Sequence, residues 1–160
     1  MSAANGFSIG EGQGKFILGV APVDIDAGAQ TSDAWDMSGY SHASIIISLG
    51  VTGAASTVTV KENQDASGTG ATAIGFSYYA EETAGGDTTG ARTTVSASGF
   101  ATSTNDNVYY VIEVDAAELS DGYNWITVHM SDPGAATFGS IGAVLSGARY
   151  AEVEAPTAES

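Results

Sequence analysis

The chain has 160 residues, 21 of them glycine and none cysteine, and sets 19 Asp and Glu against four basic residues for a formal charge of −15. The length fits one domain. The missing cysteines exclude disulfides, thiolate zinc sites and cysteine nucleophiles, and the charge argues against nucleic acid and anionic membranes, which call for clustered Lys and Arg.

Met1-Ser2-Ala3-Ala4-Asn5-Gly6 has neither a basic nor an apolar region of secretory type, and no apolar run approaches the ~18 residues needed to span a bilayer. Charged residues make up only 14% of the chain, so Ser, Thr, Asn and Gly must supply most of the polar surface. That composition favours strands joined by tight turns over helices.

Residues 1–15 are Gly-rich and without periodicity, and read as a flexible arm. Phe16–Val20 is the first strand, ended by Pro22 or placed by it at a sheet edge. Residues 24–42 read as a loop with a short strand near Trp35. Ala43–Leu49 has apolar residues on both faces, as a central strand does. In Ser56–Glu62 the alternation puts Val58 and Val60 on one side and Thr57, Thr59 and Lys61 on the other, the period of a half-buried antiparallel strand. Asn63–Thr72 is a turn-rich loop, and Ile74–Tyr79 reads as one strand. A Gly-rich connection over 84–90 leads back through Arg92–Ala97.

Asn105-Asp106-Asn107 marks a turn and Val108–Val114 a strong strand. Asp115-Ala116-Ala117-Glu118 has capping-box spacing and predicts one helical turn closed by Asp121-Gly122. Over Tyr123–Met130, Ile126, Val128 and Met130 take one face and Trp125, Thr127 and His129 the other. Ser140–Ser146 is the last core strand. The pattern predicts an all-β chain: a single-domain β-sandwich or jelly-roll-like barrel over 16–151, with one short helical turn and an acidic tail over 152–160.

The motifs with chemical potential are thin. Gly6-Phe7-Ser8-Ile9-Gly10 matches a nucleophile elbow, but the strand before and the helix after it are missing from the pattern. Gly10–Lys15 lacks the first Gly and the Ser or Thr of a phosphate loop. His42 and His129 are too few for a zinc site on their own. Asp24, Asp26, Asp33 and Asp36 are candidates for a calcium loop, although the EF-hand spacing fails. Glu81/Glu82 and Glu113/Asp115 are carboxylate pairs of the kind glycoside hydrolysis uses, yet Asp115 reads more simply as a helix cap. Trp35, Trp125, Tyr78, Tyr79, Tyr109, Tyr110 and Tyr123 fit either a core or a sugar-stacking platform. The expectation is therefore a protein without catalytic, metal or cofactor residues.

Val111–Leu119, Gly122-Tyr123-Asn124-Trp125-Ile126, Gly139–Leu145 and Ala148-Arg149-Tyr150 together resemble small β-rich virion proteins of tailed bacteriophages, of capsid decoration or cement type. The layout of the first half is similar, so the likeness spans residues 16–150. It implies a non-enzymatic protein made in a host cytoplasm. On the virion it would sit on the outer capsid surface, clamping major capsid protein subunits as a homo-oligomer, usually a trimer. Phe7 and Ile9 are the expected anchors of an arm that orders on docking, with Lys15 meeting an acidic neighbour. The alternative is a carbohydrate-binding sandwich or a tail-associated adhesion protein.

Overall fold

The computed structural model describes residues 14–82 and 88–149. They form two antiparallel sheets packed face to face, with two single turns of 3-10 helix as the helical content of the described residues. The strands are β1 (Gly14–Asp24), β2 (Gln30–Thr31), β3 (Trp35–Asp36), β4 (Tyr40–Thr52), β5 (Thr57–Asn63) and β6 (Thr72–Ile74), then β7 (Phe76–Glu81), β8 (Thr93–Val95), β9 (Phe100–Ala101), β10 (Val108–Asp115), β11 (Trp125–Met130) and β12 (Thr137–Ala148).

The larger sheet has the order β1-β12-β4-β10-β7-β8. The smaller runs β2-β11-β5-β6, with β3 also on β11 and β9 also on β5. The alternating segments do what their period dictates. Ile45, Ile47 and Leu49 of β4, and Val108, Tyr110, Ile112 and Val114 of β10, point inward. They meet Val58 and Val60 of β5 and Ile126, Val128 and Met130 of β11 in one core. Ile141, Ala143 and Leu145 of β12 extend that core toward β1.

The structure departs from the sequence pattern in three places. Ile74–Tyr79 is not one strand. The chain leaves the smaller sheet after Ile74 and enters the larger at Phe76, so it changes sheets at Gly75, where a Cβ would lie 3.0 Å from the Val95 carbonyl oxygen. Of the two expectations for Pro22 the edge placement holds: β1 runs on past it to Asp24 as an edge strand on β12, kinked by register shifts on either side of Val20. A second 3-10 turn, Ile25–Ala27, follows, capped by the Asp24 carboxylate, which accepts from Asp26 N–H at 3.1 Å. Finally, the two-residue strands β2 and β9 are too short for any periodicity to show.

Most polar groups carried inward are bonded there, although Trp35 Nε1 and Asn63 Oδ1 are buried without a hydrogen-bond partner. Glu62, 3% exposed, accepts from the backbone N–H and the hydroxyl of Ser120, both at 2.7 Å, and so fixes the loop between β10 and β11. Tyr110 Oη donates to Glu82 at 2.7 Å and accepts from Ser103 N–H at 2.6 Å; burial is the main reason its phenol is pushed well above the usual tyrosine range. The predicted turn after β10 is a 3-10 turn over Ala116–Glu118, and Glu118 reaches back to the Asp115 N–H at 3.1 Å.

Candidate docking face of the larger sheet

The two sheets cover only one face of each other, and what remains on the outer face of the larger sheet is unusual for so acidic a chain. Reading across the strands, Leu18 pairs with Gly142, Gly142 with Ile46, Ile46 with Val111 and Val111 with Tyr79. The neighbouring row on one side is Phe16, Val144, Ser44, Glu113 and Ser77; on the other, Ser140, Ser48, Tyr109 and, on β7, Glu81, which bounds the face there. Phe138 lies at the bulged end of β12, where Gly50 and Val51 are fitted between two register positions.

Phe16, Leu18, Val51, Tyr109 and Phe138 are each between 49% and 59% exposed. The Phe16 ring leans over Gly142, where a Cβ would meet it at 3.1 Å, so the glycine lets an aromatic lie flat on the sheet. The centre of this face is thus aliphatic, aromatic, Gly and Ser, with no Asp, Glu, Lys or Arg from β1 across to β10 between the Glu113 row and Phe138.

At one border the charge returns in ordered form. His42 of β4 lies between two carboxylates of β10: Nε2 is 2.6 Å from Glu113 Oε2 and Nδ1 is 2.7 Å from Asp115 Oδ1. Ser44 donates its hydroxyl to the same Glu113 oxygen at 2.7 Å. Burial pulls His42 down, but the hydrogen bonds and charges of Asp115 and Glu113 outweigh it and hold the imidazole above its ordinary value. Both ring nitrogens face acceptors, so while the ring is charged both donate and it has no lone pair with which to act as a base. Ser44 faces Glu113 and not the ring, so the group has the composition of a nucleophilic triad without its geometry.

The opposite, outer face of the smaller sheet is different. Trp125, Thr127 and His129 share it with Thr59 and Lys61. His129 Nδ1 is 3.0 Å from the Thr31 hydroxyl, and burial together with the Lys61 charge lowers its pKa.

The other candidates resolve as follows. Trp35 is buried at 1% exposure; Tyr78, half-buried at the margin of the core, stacks on Phe100 at 4.0 Å, and Tyr110 is buried beside them. The aromatics considered for a sugar platform are therefore divided among the core and two opposite faces. Asp24 spends its carboxylate on the backbone N–H groups of Asp26 and Thr137, and Asp36 on that of Ser38, so these acids act as local caps. Among the described residues no three His, Asp or Glu side chains converge as a metal-ligating group.

Lys15 is in edge strand β1, opposite Leu145. Phe7, Ile9 and the Gly6–Gly10 pattern lie outside the described residues. The His42–Glu113–Asp115 cluster was missed by sequence reasoning. Its one sequence signal was that Glu113 and Asp115 occupy alternate positions of a strong strand.

No family model and no curated protein matches this chain. Among solved structures it is similar to the crystal structure of the SPBc2 prophage-derived protein YomS. That likeness has 12% identity and a TM-score of 0.46, over 83% of this chain and 93% of that one. It is too distant to carry a function across.

Proposed function

We propose that this chain is a non-enzymatic structural protein of the virion, of decoration or cement type, which binds the outside of a phage capsid lattice and reinforces it. The observation supporting this reading is the charge-free apolar field on the larger sheet of a chain with a formal charge of −15. Contiguous apolar surface of this kind on a soluble domain marks a contact with another macromolecule. The uncharged centre is where two proteins can meet without burying unpaired carboxylates.

Size points the same way. Four strands, β1, β12, β4 and β10, at about 4.8 Å spacing and some six residues along each give a field on the order of 20 by 20 Å. That is about half of the ~800 Å² each partner contributes to a stable pairwise interface. One such contact is weak alone, but copies joined to one another on a lattice hold through multivalency. Self-association, as trimers by the family resemblance, supplies that linkage, with the arm residues Phe7 and Ile9 and nearby Lys15 as additional contacts.

Quantitative mass spectrometry of purified particles from cells that make the protein tests the reading. Hundreds of copies per particle are expected. A handful would indicate a tail or portal part, and absence from intact particles would overturn the proposal.

A further inference from the structure

We infer that His42, held between Glu113 and Asp115 at the border of the apolar field, is a pH-sensitive latch that favours docking of this face while charged and opposes it when neutral. The inference rests on the outer face of the larger sheet being the docking surface, and concerns how that surface is regulated.

The geometry sets the behaviour. Both ring nitrogens face carboxylate oxygens, at 2.6 and 2.7 Å. Only the imidazolium has two N–H groups, so only the charged ring satisfies both acceptors. A neutral ring keeps one of these hydrogen bonds and turns a lone pair toward the other oxygen. The change is local and involves two adjacent strands, because the two contacts join β4 to β10 beyond their backbone ladder.

The groups on the elements packed against the ring are acidic or neutral. β10 contributes Glu113 and Asp115, and the 3-10 turn after it contributes Glu118, whose carboxylate is on the Asp115 N–H. β12 presents Ser146 opposite His42, and β4 itself adds Tyr40 and Ser44. The cations at this end of the sheet are Lys15, on β1 opposite Leu145, and Arg149, whose backbone N–H bonds the Gly39 carbonyl. With His42 charged the three-residue cluster sums to −1; with it neutral, to −2. Glu113 sits in the same cross-strand row as Phe16 and Val144. A partner covering the field therefore desolvates this border, and an uncompensated carboxylate pair there resists burial far more than one bridged by a cation.

His42 is raised above its ordinary value. A raised histidine stabilises the fold in full below its unfolded value of about 6.5, and that contribution is lost as pH rises through the folded value. The pH window is therefore neutral to mildly alkaline. His129, lowered and on the opposite face, is an internal control.

The test is an NMR titration of both histidines in the full chain, thermal unfolding between pH 5.5 and 9, and co-sedimentation with undecorated particles at both ends of that range. His42 is expected to titrate above 6.5 and His129 below it. The wild-type melting temperature should fall by about 2–5 °C more across the window than that of His42→Gln. Particle binding should weaken several-fold at high pH in the wild type and not in the variant. Glu113→Gln, which keeps an acceptor for the ring but removes a charge, should lower the His42 midpoint. His42 titrating at or below 6.5, equal slopes for wild type and His42→Gln, or particle binding indifferent to pH would each overturn the latch. Failure to bind particles at any pH would instead overturn the docking role of the face, and titration and melting would still decide the behaviour of the cluster.

Discussion

Replacing Leu18 and Tyr109 together by aspartate is expected to abolish retention on particles while leaving the fold intact. Both side chains are about half exposed, on strands β1 and β10 at opposite sides of the apolar field. Neither contributes to the core, so the cost to stability should be roughly 1 kcal/mol per site, from the poor strand propensity of aspartate and, at position 109, from a carboxylate opposite Glu81. In a docked complex each new carboxylate would be buried without a partner, a penalty of several kcal/mol. Two such sites should reduce affinity by more than about a hundredfold, each 1.4 kcal/mol being a factor of ten. The matched control is Thr59→Asp on the outer face of the smaller sheet, which should bind as wild type. Co-sedimentation with particles reads the first effect and urea unfolding the second. Retained binding by the double variant would remove the larger sheet from the interface.

The largest expected loss of stability is at Trp35. Its side chain is 1% exposed and lies against Gly19 of β1, where a Cβ would come within 2.4 Å of Trp35 Cζ2 and 2.8 Å of Ser32 Cβ. The missing side chain at Gly19 is thus what lets the indole seal this edge of the sandwich. The Asp33 N–H closes the same corner with a hydrogen bond of 3.2 Å to the Gly19 carbonyl. Trp35→Ala should cost about 3–5 kcal/mol through lost burial and the cavity left behind. Gly19→Ala should be destabilising for the opposite reason, overlap with the ring. The double variant then costs less than the sum, because removing the ring relieves the nearer overlap and leaves only that with Ser32 Cβ; a coupling of about 1–2 kcal/mol is expected from a double-mutant cycle in urea. Simple additivity would show that the glycine and the indole do not share this space.

Periodicity carried most of the fold. The alternation in Tyr123–Met130 placed Ile126, Val128 and Met130 inward on β11, and that in Ser56–Glu62 placed Val58 and Val60 opposite them, as the structure has it. The capping-box spacing at Asp115 gave the turn after β10. Gly75 was harder, because a chain that crosses from one sheet to the other without losing extended backbone leaves the alternation almost unbroken. A glycine is its only mark.

The candidate docking face was half legible. The apolar residues on both faces of Ala43–Leu49 read as a strand covered on two sides. β4 is central within its sheet, but Ile46 belongs to a face that nothing in the described chain covers. Strand periodicity reports that a face is apolar, not what lies against it. The histidine cluster was hidden for another reason. His42 and Glu113 are 71 residues apart, and only the β4–β10 register brings them together. Local patterns encode the direction of a side chain, whereas strand order is set by the whole core.

Hydroxyl-radical footprinting of the protein, free and on assembled particles, tests the working surface most directly. Phe16, Leu18, Tyr109 and Phe138 should lose most of their reactivity on assembly, while Trp125 and His129 on the opposite sheet keep theirs. Protection of Trp125 and His129 with undiminished oxidation across the larger sheet would contradict the assignment.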